Sequence, residues 1–229
     1  MKILIVDDDQ LSRRALKIIL KKLGHCDTAS GGLSALDLFR RAHFAQQPYN
    51  LLTLDYMMPG LHGPGLLLKI RGIEERVGIP EQKQVKVLMV TVQSDKDSVL
   101  KSASAGCHDY IIKPFNHETV FNRVKKLGIQ TSQAELRMKE RDPDEKELNE
   151  IFIKELGKRI NRMQESMESS NFENIQNLAH QIHGTGSTYG FSEASYIGAE
   201  IEAAAKSGDL SSIKNGIKTL VTLFNGYKV

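Results

Sequence analysis

Short runs of consecutive apolar residues mark the first half of the chain: Lys2–Val6, Leu51–Leu54, Val85–Val90 and Tyr110–Ile112. They are too brief for helices and rich in β-branched side chains, so they read as buried strands. Cys26–Ala29 is a weaker fifth. Between the first run and this one, Leu16, Ile19, Leu20 and Leu23 recur at i, i+3, i+4 and i+7, the apolar face of a helix that Gly24 stops. Repeated βα alternation predicts a parallel sheet with helices on both faces. From about Gln130 the strand pattern vanishes. Gln133–Asn149 is highly charged, with Asp142-Pro143-Asp144 as a break and helix start. Helical periods follow, broken near Ser169–Asn171, Gly190 and Gly208-Asp209, and predict four helices in an antiparallel bundle.

Composition adds limits rather than detail. A length of 229 residues suits two compact domains, and 40% apolar with 26% charged residues is ordinary for a folded chain. No apolar run approaches the ~18 residues of a membrane span. Met1–Val6 runs straight into Asp7, Asp8 and Asp9, unlike a secretory leader. Two cysteines, Cys26 and Cys107, make no disulfide framework, and a cytoplasmic protein is expected. Residues 1–126 hold 19 Lys and Arg against 13 Asp and Glu, a net +6; residues 127–229 hold 12 against 15, a net −3. The split fits two domains with different surfaces, the alternative being opposite charges that help the two halves, or other partners, meet. The overall +3 is too small to imply a nucleic-acid partner.

Candidate chemistry sits at the strand ends. The first strand ends in Asp7-Asp8 and the third in Asp55. Ligands of open parallel sheets bind at the carboxyl ends of strands, near the switch in strand order. Three carboxylates gathered there repel unless protonated or joined by a cation, and oxygen ligands suit Mg2+. The fourth strand ends in Thr91, a hydroxyl donor, and the fifth runs into Lys113-Pro114, a cation for a phosphoryl oxygen. Nucleophilic carboxylate, cation, hydroxyl and lysine are the parts of phosphoryl transfer onto aspartate.

With these residues in hand, the first half resembles the receiver domain of bacterial response regulators. The match rests on Asp7-Asp8, on Asp55-Tyr56-Met57-Met58-Pro59-Gly60-Leu61-His62-Gly63, and on Thr91, Tyr110 and Lys113-Pro114 in family order and spacing. It implies a flavodoxin-like, doubly wound, five-stranded parallel sheet. It implies that Asp55 accepts a phosphoryl group, and that Asp8, Asp55 and the Met57 carbonyl bind Mg2+, with Asp7 helping through water. Thr91 and Lys113 then contact phosphoryl oxygens. Movement of Thr91 lets Tyr110 turn inward and alters the face formed by the last strand and the helices beside it. Val92 departs from the family, which has a small residue after the switch hydroxyl, and suggests slow loss of phosphate from Asp55. A rival reading takes Asp7 and Asp9 as the D-x-D nucleophile and acid of a haloacid-dehalogenase-type phosphatase. No later acidic pair supports it, and it leaves Asp55 unexplained; Asp9 reads instead as a helix N-cap.

The second half carries one informative stretch, Leu178 to Gly190. At ~100° per residue, Ile175, Leu178, Ile182, Thr185 and Tyr189 share a face, and His180 points to the opposite, water-facing side with His183, Gly184 and Ser187. Gly184 beside it leaves room for a bulky partner. Two histidines three apart do not fit the four-apart Zn motif. This stretch resembles the histidine-containing phosphotransfer domain, a four-helix bundle, with His180, His183, Gly184 and Gly190 in the motif places. The resemblance implies that His180 carries the phosphoryl group. His183 stands where the family usually has Lys, so transfer is expected to vary with pH between about 6 and 7.5, where an imidazole changes charge.

The expectation is therefore an α/β receiver over 1–126, a charged linker over 127–144 and an all-α phosphotransfer domain over 145–229. It would be a Mg2+-dependent phosphorelay protein of two-component signalling, a phosphotransfer protein rather than an enzyme. Its expected partners are a sensor or hybrid histidine kinase and the receiver domain of another response regulator, not nucleic acid or membrane. The alternative is a phosphorylation-regulated binding module whose bundle is only an output docking surface.

Overall fold

The apolar runs of the first half become five strands: β1 (Lys2–Val6), β2 (His25–Ala29), β3 (Leu51–Asp55), β4 (Lys86–Thr91) and β5 (Asp109–Ile112). They form one parallel sheet in the order β2-β1-β3-β4-β5. The computed structural model describes residues 1–92, 104–130 and 144–227, except the side chains of 144–148. Its contacts divide the chain into two units, Met1–Arg141 and Asp142–Val229. The linker expected over 127–144 lies, at 131–143, outside the described residues, as does the segment 93–103 between β4 and β5.

The sheet starts at its middle. From β1 the chain first winds outward to β2, then crosses back to place β3 on the other side of β1. The connections at the carboxyl ends of β1 and β3 therefore leave in opposite directions and open a crevice between them. This is the doubly wound, flavodoxin-like arrangement expected. Helix α1 (Gln10–Leu20) begins at Asp9, whose side chain accepts from the Leu11 N–H. Its apolar face ends with Leu20, and Leu23 lies in the turn beyond. Gly24 does more than end the helix: a Cβ there would lie 2.1 Å from the Met1 carbonyl oxygen, so only glycine lets the chain pass β1 this closely. Helices α2 (Gly32–Phe44) and α3 (Gly63–Arg76) cover one face, where Leu4, Val6, Leu52 and Leu54 meet Phe39, Leu66 and Ile70. Ile3, Ile5 and Leu51 alternate to the other face, served by α1 and α4 (His117–Lys126), and are fully buried.

At the opposite end of the sheet His108 joins β4 to the approach of β5. Its Nδ1 accepts from the Val87 N–H at 3.1 Å, and Lys86 Nζ lies 3.5 Å from its Nε2. Burial, then the charges of Lys86 and Arg71, lower the His108 pKa to about 4. A depressed histidine binds its proton more weakly in the folded state. Its stabilising effect is thus complete above the unfolded value near ~6.5 and is lost as pH falls toward 4. Protection of the Val87 amide, corrected for intrinsic exchange, is expected to drop across that window. In His108→Asn, where an amide oxygen accepts without titrating, the drop should shrink.

The second unit is a four-helix bundle of α5 (Asp144–Glu168), α6 (Phe172–Gly186), α7 (Ser192–Ser207) and α8 (Leu210–Tyr227). Short turns join them, so successive helices run antiparallel. Each packs on two neighbours, α5 on α6 and α8, α7 on α6 and α8. The expected apolar face of α6 is buried: Ile175, Leu178, Ile182 and Thr185, with Tyr189 in the 3-10 turn that follows. Phe152, Leu156, Ile160 and Met163 of α5, Ile197 and Ile201 of α7, and Ile213, Ile217 and Leu220 of α8 complete the core. Among the described residues no helix is long and apolar enough to cross a membrane.

Candidate functional site

The first site is the crevice between β1 and β3. Asp7, Asp8 and Asp55 each offer an oxygen there, all within 4.8 Å of one another. Asp7 and Asp55 are buried and Asp8 is half-buried. Lys113, just past β5 and itself buried, reaches across the sheet end. Its Nζ lies 2.7 Å from Asp7 Oδ2 and 3.2 Å from Asp55 Oδ1. The Lys113–Pro114 peptide bond is cis.

Three carboxylates and one ammonium do not balance. Burial is the largest influence on Asp55, and it raises the pKa well above the ordinary carboxylate range; Lys113 opposes the shift, while Asp7 and Asp8 add to it. Burial and then Asp7 push Asp8 up as well, against Lys113. Burial lowers the Lys113 pKa, but Asp55 and Asp7 outweigh it and hold the ammonium above the ordinary lysine range. The pocket is therefore short of positive charge even with Lys113 in place. Hard oxygen donors in such a pocket fit a hard divalent cation such as Mg2+.

The other residues expected at this site fall around it. Thr91 ends β4 and is buried; Val92 after it is partly buried. Met57 is exposed at 41%, whereas Met58 turns into the core. Tyr110 on β5 is half-buried, with the Arg123 guanidinium 5.5 Å from its ring centre; Arg123 also pairs with Asp109 at 2.9 Å. Gly63 opens α3 so close to β3 that a Cβ would sit 2.3 Å from the Asp55 carbonyl. Two residues beside Asp7 escaped the sequence reading. The Ser12 hydroxyl donates to Asp7 Oδ2 at 2.5 Å, and Arg13 Nη1 donates to the Asp7 carbonyl. The signal for Ser12 was present: it shares the buried stripe of α1 with Ala15, Leu16 and Ile19, and a polar residue in such a stripe needs a partner.

The second site lies on the bundle, where α6 meets α7. The His180 side chain is 23% exposed rather than open to water, because Glu202 of α7 reaches over to it. Glu202 Oε1 lies 2.9 Å from His180 Nδ1, and Oε2 lies 3.3 Å from His183 Nδ1. A carboxylate only accepts, so each imidazole donates from Nδ1. Burial pushes the Glu202 carboxyl up, but the two histidine hydrogen bonds and charges outweigh it and bring the pKa down to about 2. The acceptor is thus a charged carboxylate throughout the neutral range. Both imidazoles keep Nε2 for other work.

Close helix packing sets this up. A Cβ on Gly198 would lie 2.7 Å from the His183 N and 3.1 Å from the Ala179 carbonyl; one on Gly186 would lie 2.7 Å from the Ser195 N. The small residues draw the two backbones together, and one helical turn past Gly198 comes Glu202. Gly184, expected on the water-facing side, is buried instead, because α7 packs so tightly on α6. Sequence reading missed Glu202 because it stands 22 residues from His180. Gly198→Ala is expected to destabilise the bundle by about 2–3 kcal/mol, since backbone must shift to admit the methyl. Urea unfolding of the full chain followed by helix content checks this.

Comparison with known proteins finds a known domain family in each half of the chain. The response regulator receiver domain family matches residues 3–125, and the Hpt domain family matches 147–223. Chemotaxis protein CheY-3 of Vibrio cholerae is 36% identical over 129 residues, which span 56% of this chain and 91% of that protein. Chemotaxis protein CheY of Pseudomonas aeruginosa is also 36% identical, over 56% of this chain and 95% of its own length. Among solved structures, a BeF3-activated DrrB receiver domain is 29% identical with a TM-score of 0.47, over 56% of this chain and 97% of that one. Receiver and Hpt domains are phosphotransfer modules of two-component signalling. A receiver site at the switch point of a parallel sheet and a histidine held on a helical bundle thus lie in one chain, which belongs to the response regulator receiver family and carries an Hpt domain after its receiver.

Proposed function

We propose that this chain is a phosphorelay protein in which Asp55 and His180 each carry a phosphoryl group. In this reading 1–126 is the receiver, 127–144 the connecting segment and 145–229 the phosphotransfer domain. Asp7, Asp8, Asp55 and the Met57 carbonyl hold Mg2+, which neutralises charge on the transferring group. The Asp55 carboxylate attacks phosphorus on a phosphohistidine of a sensor or hybrid kinase, forming an O–P bond as the N–P bond breaks. Lys113 and Thr91 bind the phosphoryl oxygens, and Tyr110 responds to the move of Thr91. His180 exchanges a phosphoryl group with a receiver aspartate, its Nε2 lone pair forming the N–P bond as the aspartyl O–P bond breaks and the carboxylate leaves. His183 and Gly184 support it. The work is placed in the cytoplasm, where kinase and regulator partners meet it.

The observation that carries this reading is the engagement of His180 Nδ1 by Glu202. A histidine that only packs has no need of a half-buried carboxylate on its Nδ1. One that must attack with Nε2 needs its proton held on Nδ1.

The test is phosphorylation of the full chain by a labelled acyl phosphate with Mg2+, and separately by a phosphorylated receiver. Acid-labile, base-labile label on wild type that disappears in Asp55→Asn is expected from the first donor. Acid-labile but base-stable label that disappears in His180→Gln is expected from the second. Label at Asp55 alone would leave the bundle as a docking surface and overturn the relay.

A further inference from the structure

The Asp7 carboxylate is wholly buried and takes three hydrogen bonds. The Asp9 N–H donates to Oδ1 at 2.9 Å. The Ser12 hydroxyl and the Lys113 ammonium both donate to Oδ2, at 2.5 and 2.7 Å. The three donors differ in what else they do. Asp9 N–H and Ser12 belong to the start of α1 and are fixed by it. Lys113 sits at the end of a long side chain and already lies 3.2 Å from Asp55 Oδ1. A phosphoryl group on Asp55 brings further anionic oxygens to that position and competes for the same ammonium. Asp7 Oδ2 then loses much of one of its two donors while remaining out of water, and a buried carboxylate oxygen left short of hydrogen bonds is costly.

We infer that Ser12 is a positioning residue: its hydroxyl is the fixed donor that holds the Asp7 carboxylate in place when Lys113 is drawn onto a phosphoryl group at Asp55. The inference rests on the receiver reading above and adds a residue to it. Ser12 is 1% exposed, and its hydroxyl is committed to Asp7 Oδ2. It acts through Asp7 alone. In the unmodified protein Lys113 remains on Asp7 and the hydroxyl is partly redundant. Its effect therefore belongs to the phosphoryl-bearing state, which separates it from a residue that merely fills space.

The experiment is calorimetric titration of the full chain with Mg2+ alone, and with beryllofluoride, a phosphoryl mimic, at saturating Mg2+. Wild type, Ser12→Ala and Ser12→Thr are compared. Ser12→Ala is expected to weaken beryllofluoride binding about 10-fold, the effect of one hydrogen bond to a charged group, and Mg2+ binding less than about 3-fold. Ser12→Thr keeps the hydroxyl and is expected to restore binding of the mimic. Equal losses in both titrations, or none in either, would overturn the role given to Ser12 while wild-type binding upheld the receiver. Failure of wild type to bind the mimic would overturn the receiver reading itself, and Ser12 with it.

Discussion

Asp55→Asn is expected to raise the stability of the metal-free receiver, although it removes the proposed acceptor. The argument is a competition of charges. Asp55 gains from Lys113 at 3.2 Å but suffers burial and the neighbouring Asp7 and Asp8. The raised pKa says which side wins: the folded protein disfavours the charged carboxylate. An amide of the same shape removes that conflict, and Lys113 keeps its 2.7 Å contact with Asp7. Melting of the full chain in a chelator should therefore place the variant's receiver transition above that of wild type. Added Mg2+ should reverse the order, because binding to the folded state stabilises wild type by mass action and the variant has lost one of the ligand oxygens. A variant that melts lower than wild type in chelator would show that the Lys113 pair dominates the pocket, contrary to this account.

The two halves of the chain were legible to different degrees, for a physical reason. The receiver site is built from strand ends, and a parallel sheet brings its strand ends to one place. Asp7, Asp55, Thr91 and Lys113 could therefore be assembled from the sequence once the strands were found. The bundle site is built across a helix pair, where side-chain proximity depends on rotation and separation of two helices. The α6 periodicity placed Ile175, Leu178 and Ile182 in the core, where they are. It placed His180 and Gly184 toward water, because one helix alone cannot show what covers its other face. Gly186 and Gly198 are the residues that bring α7 over that face, and nothing in a single helix's pattern pairs them. Ser12 was missed for another reason. Its partner Asp7 lies in the same acidic cluster already assigned to cation binding, so the cluster's internal hydrogen bonds went unread.

Glu202→Gln carries the largest expected effect among residues outside the acceptors themselves. The carboxylate takes one Nδ1–H on each oxygen, from His180 at 2.9 Å and from His183 at 3.3 Å. An amide offers only one acceptor oxygen, and its nitrogen donates. One of the two imidazoles must then present a lone pair from Nδ1, which moves its proton to Nε2. Whenever that imidazole is His180, the atom needed for attack on phosphorus is blocked. Even in the other orientation the neutral amide supports a developing positive imidazole less well than a carboxylate does. Transfer to His180 from a phosphorylated receiver is expected to fall by about 10- to 100-fold, the range seen when the partner that orients a working histidine is changed. Helix content and the unfolding midpoint should change little, since Glu202 is partly exposed and the apolar core is untouched. Nitrogen NMR of the imidazoles at pH 8 gives the readout that packing alone would not move. Wild type should hold His180 protonated at Nδ1, and Glu202→Gln should populate the Nε2-protonated form. An unchanged rate together with an unchanged tautomer would reduce Glu202 to a surface contact and return the choice of tautomer to the solvent.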